Sequence, residues 1–198
     1  MNDNREHILP LLSFPSEDTF YFCQIIKRKK DNLDSQYRDS IVIKTYYLTE
    51  KNNIEKNWLE MTYIANALNA RVMINLNPRS FKRCAFRVLN RLSGIIECES
   101  DYESIKRVYD SVCGEYHFST DKIWIIDIDS RLLSIVGEVI TYIGSLQFCN
   151  ESVYKVVSVI PSKSGYHIIT NPFNMLLWDR DGMTHDVHKN NPTNLYIP

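Results

Sequence analysis

Residues 122–129, Lys-Ile-Trp-Ile-Ile-Asp-Ile-Asp (KIWIIDID), decide how the rest of this chain is read. Four apolar residues in succession, Ile123 to Ile126, most of them β-branched or aromatic, predict a strand in a sheet interior. Side chains alternate along a strand. Ile125, Asp127 and Asp129 therefore share one face, and Trp124, Ile126 and Ile128 share the other. Two carboxylates two residues apart repel each other and lose hydration at the end of a buried strand. A divalent cation would compensate. So would an Asp129 that caps a following helix beside a solvated Asp127, and this stretch alone leaves both readings open.

The composition narrows the partners. A net charge of −1 over 198 residues gives no global basic field, so nucleic-acid binding would have to rest on local patches. The length suits one domain or two small modules sharing a core. The five cysteines, Cys23, Cys84, Cys98, Cys113 and Cys149, are scattered and form no C-x-x-C pair. An odd count without a basic-then-apolar leader points to reduced thiols in a cytoplasm, a bacterial host cytosol on this reading. Cys98, Cys113 and His117 offer part of a zinc set, at a spacing that fits no common knuckle. The longest apolar run, 132–148, contains Glu138 and is too short and mixed to span a bilayer, so no membrane partner is expected.

In chain order, residues 1–18 read as an arm or short helix, and 19–27 as a strand or short buried helix. The run Lys27-Arg28-Lys29-Lys30 reads as a solvated face or a phosphate-contacting edge. A polar turn over 31–39 leads to a strand over 40–48. Apolar residues at helical spacing predict a helix over 52–70, and 71–76 is the next strand. Asn77 or Ser80 caps a helix whose start, with Arg79 and Lys82, makes either an anion site or an ordinary solvated basic face. A short helix over 104–116 and a turn over 118–121 follow. The second half reads as strand 122–128, helix 132–146, strand 154–160, tight turn 161–165 and strand 166–170. A short helix or apolar turn over 173–178, a loop over 179–182 and short strands over 184–188 and 195–197 complete it.

The fold class expected is α+β, with a split β-α-β-β-α-β order in the second half. In that arrangement the first strand is central, flanked by the third and the fourth. Asp127 and Asp129 then lie beside His167 on the third strand and Asp186 on the fourth. Three carboxylates on one sheet face make a hard oxygen site suited to Mg²⁺ or Mn²⁺. Two such ions would activate a 3′-hydroxyl and stabilise a leaving pyrophosphate. His167 and the turn Ser162-Lys163-Ser164-Gly165 would face a triphosphate, with Gly165 allowing close backbone approach and Lys163 supplying a point charge.

Three blocks, IWIIDID (123–129), SKSGYHII (162–169) and THDVHK (184–189), resemble in order and spacing the three motifs of the archaeo-eukaryotic primase superfamily. The blocks IIKRKKDN (25–32) and RVMINLNPRS (71–80) are similar to stretches of short primase-polymerase-like proteins of bacterial viruses and mobile elements. The resemblance implies one primase-like catalytic core over 1–198. An N-terminal α/β module (1–120) would pack on a C-terminal ferredoxin- or RRM-like βαββαβ sheet (121–198). It implies that Asp127, Asp129 and Asp186 hold Mg²⁺ or Mn²⁺, that His167 contacts the phosphates of the incoming nucleotide, and that Lys163, Ser164 and Gly165 form the turn that helps hold them. Arg79 and Lys82, also candidates for the nucleotide, match no invariant of the family. Gly165 stands where many relatives have serine, with Ser164 in its place, and His185 stands where an apolar residue is usual. No zinc motif of the family is present.

The function expected is a metal-dependent nucleotidyltransferase, a primase or primase-polymerase, using nucleoside or deoxynucleoside triphosphates on a single-stranded nucleic-acid template. The chain stops soon after the third motif, so a separate helicase or replication protein is the expected partner. The alternative is a nucleotide- or single-strand-binding subunit of a replication or defence complex, with Tyr46, Tyr47 and Tyr166 available for base stacking or for core. A metal-dependent phosphodiesterase using the same carboxylates is the third reading.

Overall fold

A computed structural model describes residues 1–32, 39–99, 102–115, 122–146, 155–180 and 184–198. Expectations that fall on His117, the turn 118–121, Cys149, Tyr154 and residues 181–183 lie outside these. The first half begins with β1 (Asn2–Asp3) and α1 (Arg5–Ile8), which tightens into a 3₁₀ turn, Leu9–Leu11. Then come β2 (Thr19–Lys27), β3 (Ile41–Leu48), α2 (Asn52–Leu68), β4 (Arg71–Ile74), β5 (Arg79–Ser80) and α3 (Phe81–Glu97). A 3₁₀ segment, Tyr102–Arg107, runs into α4 (Val108–Glu115). The second half holds β6 (Trp124–Ile128), α5 (Leu133–Ser145), β7 (Val156–Pro161), β8 (Tyr166–Thr170), α6 (Met175–Arg180), β9 (Asp186–His188) and β10 (Thr193–Ile197).

The class is α+β, with two antiparallel sheets. The second has the order β7-β8-β6-β9, so β6 is flanked by the third and fourth strands of its half, as the split arrangement requires. The first has the order β1-β10-β4-β2-β3, with β5 paired to one end of β2. Here the expected boundary fails. β10 lies within the stretch assigned to the second sheet, yet it pairs with β1 and β4 of the first. Its five residues are all buried, and Leu195 and Tyr196 belong to the core that surrounds α2. A short apolar strand joins whichever sheet buries it. α6 also runs through Arg180, where a loop was expected from 179.

Local chemistry sets the boundaries. α2 stops at Asn69, which takes the left-handed conformation (φ 46°), a conformation asparagine tolerates better than most residues. α3 starts at Ser80, whose hydroxyl accepts from the Arg83 N–H at 3.1 Å. Asn77, the other candidate cap, instead clamps the entry to β6. Its amide donates to the Ile123 carbonyl at 2.9 Å and its carbonyl accepts from the Ile123 N–H at 2.8 Å.

β6 is buried on both faces, which is why it reads as an unbroken apolar run. Trp124, Ile126 and Ile128 pack against Val136, Val139 and Ile143 of α5 and Trp178 of α6. Ile125, with Ile160 and Ile169, enters the core that holds Cys23, Ile25 and Ile74 of the first sheet. A third core sits between β2 and the pair α3 and α4, where Phe20 and Phe22 meet Cys84 and Val112. Among the described residues no helix is long and apolar enough to cross a membrane.

Candidate functional site

The site is built on one row of the second sheet. Asp127 on β6 stands opposite His167 on β8 and opposite Asp186 on β9. Directly opposed residues in antiparallel strands share a face, so Asp186, Asp127 and His167 lie side by side across three strands. Like charges directly opposite are destabilising, so the facing carboxylates of Asp127 and Asp186 call for a compensating partner. His188, two residues beyond Asp186 and opposite Ile125, faces the same way.

His167 is 8 % exposed. Its Nδ1 is 2.7 Å from the Thr193 hydroxyl of β10, and its Nε2 points to Asp127 Oδ1 at 3.6 Å, a polarising contact longer than a hydrogen bond. Burial holds its pKa below the ordinary histidine value. Asp127 opposes that effect, while His188, Arg71 and Arg28 reinforce it. The imidazole is therefore neutral at neutral pH.

Asp129 lies just past β6 and is exposed, with its Oδ1 accepting from the Ser164 hydroxyl at 2.9 Å. The turn that supplies Ser164 is closed by Ser162 N–H to Gly165 O (2.8 Å) and by Gly165 N–H to Ser162 Oγ (3.0 Å). Gly165 was expected to let backbone approach a ligand. The approach it makes is to the chain itself, since a Cβ there would stand 1.9 Å from the Ile128 carbonyl oxygen.

Lys163 was expected on the phosphates, and its charge is engaged elsewhere. Its Nζ is 2.8 Å from Asp31 Oδ1. Asp31 also takes two bonds from Arg71, at 2.6 and 2.7 Å. Burial alone would raise the Asp31 pKa, but Arg71 and Lys163 outweigh it and hold the carboxyl below its ordinary range.

Arg79 is a correction, and the helix start beside Lys82 is another. Arg79 is 2 % exposed, and its guanidinium donates to the carbonyls of Cys113 and Asn77 and to Asn190 Oδ1. It ties loops together inside the fold and presents nothing to a ligand. The expected anion site at the start of α3 is filled by the chain's own Asp18, which accepts from the Lys82 N–H at 2.8 Å and from the Ser80 hydroxyl. The Lys82 side chain is exposed beside it. Of the tyrosines offered for stacking, Tyr46 donates to Glu60 and Tyr47 to Asp110, and both belong to the packing around β3.

Asp127 and His167 of the row face a cleft of about 260 Å³ between the two sheets, and Asp186 lies outside its lining. Ile26 and Met73 line it from the first sheet, Arg28 from just past the end of β2, and Ile125, Asp127, His167 and His188 from the second. Lys29 and Lys30, the next members of the basic run, are exposed and do not line it. Sequence reasoning missed Thr193, Asp31 and His188. Period-2 alternation from Asp186 would have found His188. No local signal marks Thr193, which arrives from the other sheet. Among the described residues, no three His, Cys, Asp or Glu side chains are grouped closely enough to enclose a metal ion. In donor type, two facing carboxylates with a third two residues along suit Mg²⁺ or Mn²⁺. Comparison of the chain with protein-family models, curated proteins and solved structures gives no match.

Proposed function

We propose that this chain is a metal-dependent nucleotidyltransferase of the primase-polymerase type, built on an archaeo-eukaryotic primase-like core. It would extend or initiate a strand from nucleoside triphosphates on a single-stranded template. The observation that carries the reading is the row Asp186–Asp127–His167, of which Asp127 and His167 line a cleft between the two sheets. Asp127, Asp129 and Asp186 are the residues that would hold Mg²⁺ or Mn²⁺, and the ion would activate a 3′-hydroxyl and neutralise charge on the leaving phosphates. His167, neutral and steadied at Nδ1 by Thr193, offers Nε2 as a fixed polar contact for a phosphate oxygen. Ser164 steadies Asp129, and Gly165 sets the distance between that turn and the strand end. Lys163, joined to Asp31, fastens the turn to the first half of the chain.

A second reading has its own support. Arg79 and Lys163, two of the cations expected on the phosphates, are committed to contacts within the protein. That favours a subunit that binds a nucleotide or a single strand without turnover. The experiment is incorporation of labelled nucleotides on a single-stranded template in Mn²⁺, with and without primer, beside the Asp127→Ala, Asp129→Ala double variant. Wild type should give product and the folded double variant none. Product from a pure double variant would sink the assignment. Absence of product from folded wild type under both conditions would transfer it to the binding subunit.

A further inference from the structure

Arg28 is the one residue of the basic run that lines the cleft, and it is partly buried there. Only its backbone carbonyl is engaged, by the Asp31 N–H and the Asn32 amide. Among the described residues its guanidinium donates to no acceptor and pairs with no carboxylate. Arginines drawn out of water are normally matched by an anion or by carbonyls, as Arg71 and Arg79 are in this same fold. Asp127, the carboxylate that lines the cleft, makes its close contact with His167 instead. The planar fork of an arginine suits bidentate recognition of phosphate.

We infer that Arg28 is the phosphate-binding cation of this cleft, in the place sequence reasoning gave to Arg79 and Lys163, and that it takes the triphosphate tail of a nucleotide. The inference rests on the nucleotide-binding part of the proposed function and not on turnover. The size of the cleft selects the ligand. About 260 Å³ is below the roughly 300–1,000 Å³ usual for pockets that enclose a whole small molecule. It suits a polyphosphate tail whose nucleoside stays outside. Arg28 then stands at the tail, across the cleft from Asp127 and His188.

The test is calorimetric titration, in Mn²⁺, of inorganic tripolyphosphate and separately of an oligodeoxynucleotide without terminal phosphates. The proteins are wild type, Arg28→Ala, Arg28→Lys and, as a control for net charge, Lys29→Ala. Arg28→Ala should weaken tripolyphosphate about tenfold or more, the loss of a hydrogen-bonded charge pair. Arg28→Lys should fall between, and Lys29→Ala should stay within about twofold, as expected for an exposed and screened charge. Oligonucleotide affinity should be unchanged in Arg28→Ala. Equal tripolyphosphate affinity in wild type and Arg28→Ala would overturn the inference. So would no binding by wild type, an equal loss in Lys29→Ala, or a loss confined to the oligonucleotide. Arg28-dependent binding by a protein that incorporates no nucleotide would uphold the inference while removing the polymerase reading. Thermal melts of each variant establish that it is folded.

Discussion

Gly165 has no room for a side chain. A methyl group there would press into the backbone of Ile128 and Ser130, which has nowhere soft to yield. Gly165→Ala should therefore cost about 1–3 kcal/mol in urea unfolding and separate Ser164 from Asp129. Asp31 supports a second prediction at this scale. Its side chain is 6 % exposed and faces Arg71, itself 9 % exposed. Asp31→Asn would leave that arginine without its charge partner, at a cost of about 3 kcal/mol or more. The pH dependence has a definite sign. A carboxyl whose pKa is depressed by folding contributes its full stability above the unfolded value, near 3.8, and loses it as pH falls through the lower folded value. Acid titration of wild type and Asp31→Asn should show their stability gap constant above that range and closing below it. A gap that widened toward low pH would contradict the assignment.

Among the elements, β6, β8 and β9 were legible, and β10 was legible as a strand but not in the sheet it joins. Alternation places Asp127, His167 and Asp186, because a strand buried on both faces must send successive residues to opposite sides. The order of the second sheet follows from the β-α-β-β-α-β connections. Nothing in TNLYI, residues 193–197, says which sheet it will join. That choice depends on apolar contacts with residues more than a hundred positions away. Long-range pairing also explains the misread cations. The Lys163–Asp31 bond spans 132 positions, and the Asp18 carboxylate that fills the start of α3 comes from 64 positions before Lys82. Local patterns report which residues are charged, and the fold decides which of those charges are already answered. β10 has a local consequence that can be measured. Thr193→Val keeps its shape but removes the hydroxyl beside His167 Nδ1, at a cost of about 1–2 kcal/mol. Nitrogen-15 spectra of the His167 ring should shift in Thr193→Val and recover in Thr193→Ser. An unshifted ring in Thr193→Val would show that the hydroxyl does not hold it.

For the whole molecule, β10 crosses from the second half into the first sheet, which should make both halves unfold as one cooperative unit. Trp58 reports on the first half, where it packs against Tyr196 of β10, and Trp124 and Trp178 report on the second. Fluorescence of a Trp124→Phe, Trp178→Phe variant and its far-ultraviolet circular dichroism should give one midpoint in urea. Two separated midpoints would show halves that unfold independently. The position of β10 also bears on how the chain is made. It is the last strand in chain order, yet it fills an interior place between β1 and β4. During synthesis β2, β3 and β4 leave the ribosome long before it, so β4 waits with one edge of its peptide groups unpaired. An open edge of this kind is where nascent chains pair with each other. Slow translation between β4 and β10 should therefore favour aggregation, and a chaperone that shields that edge should raise the yield of folded protein.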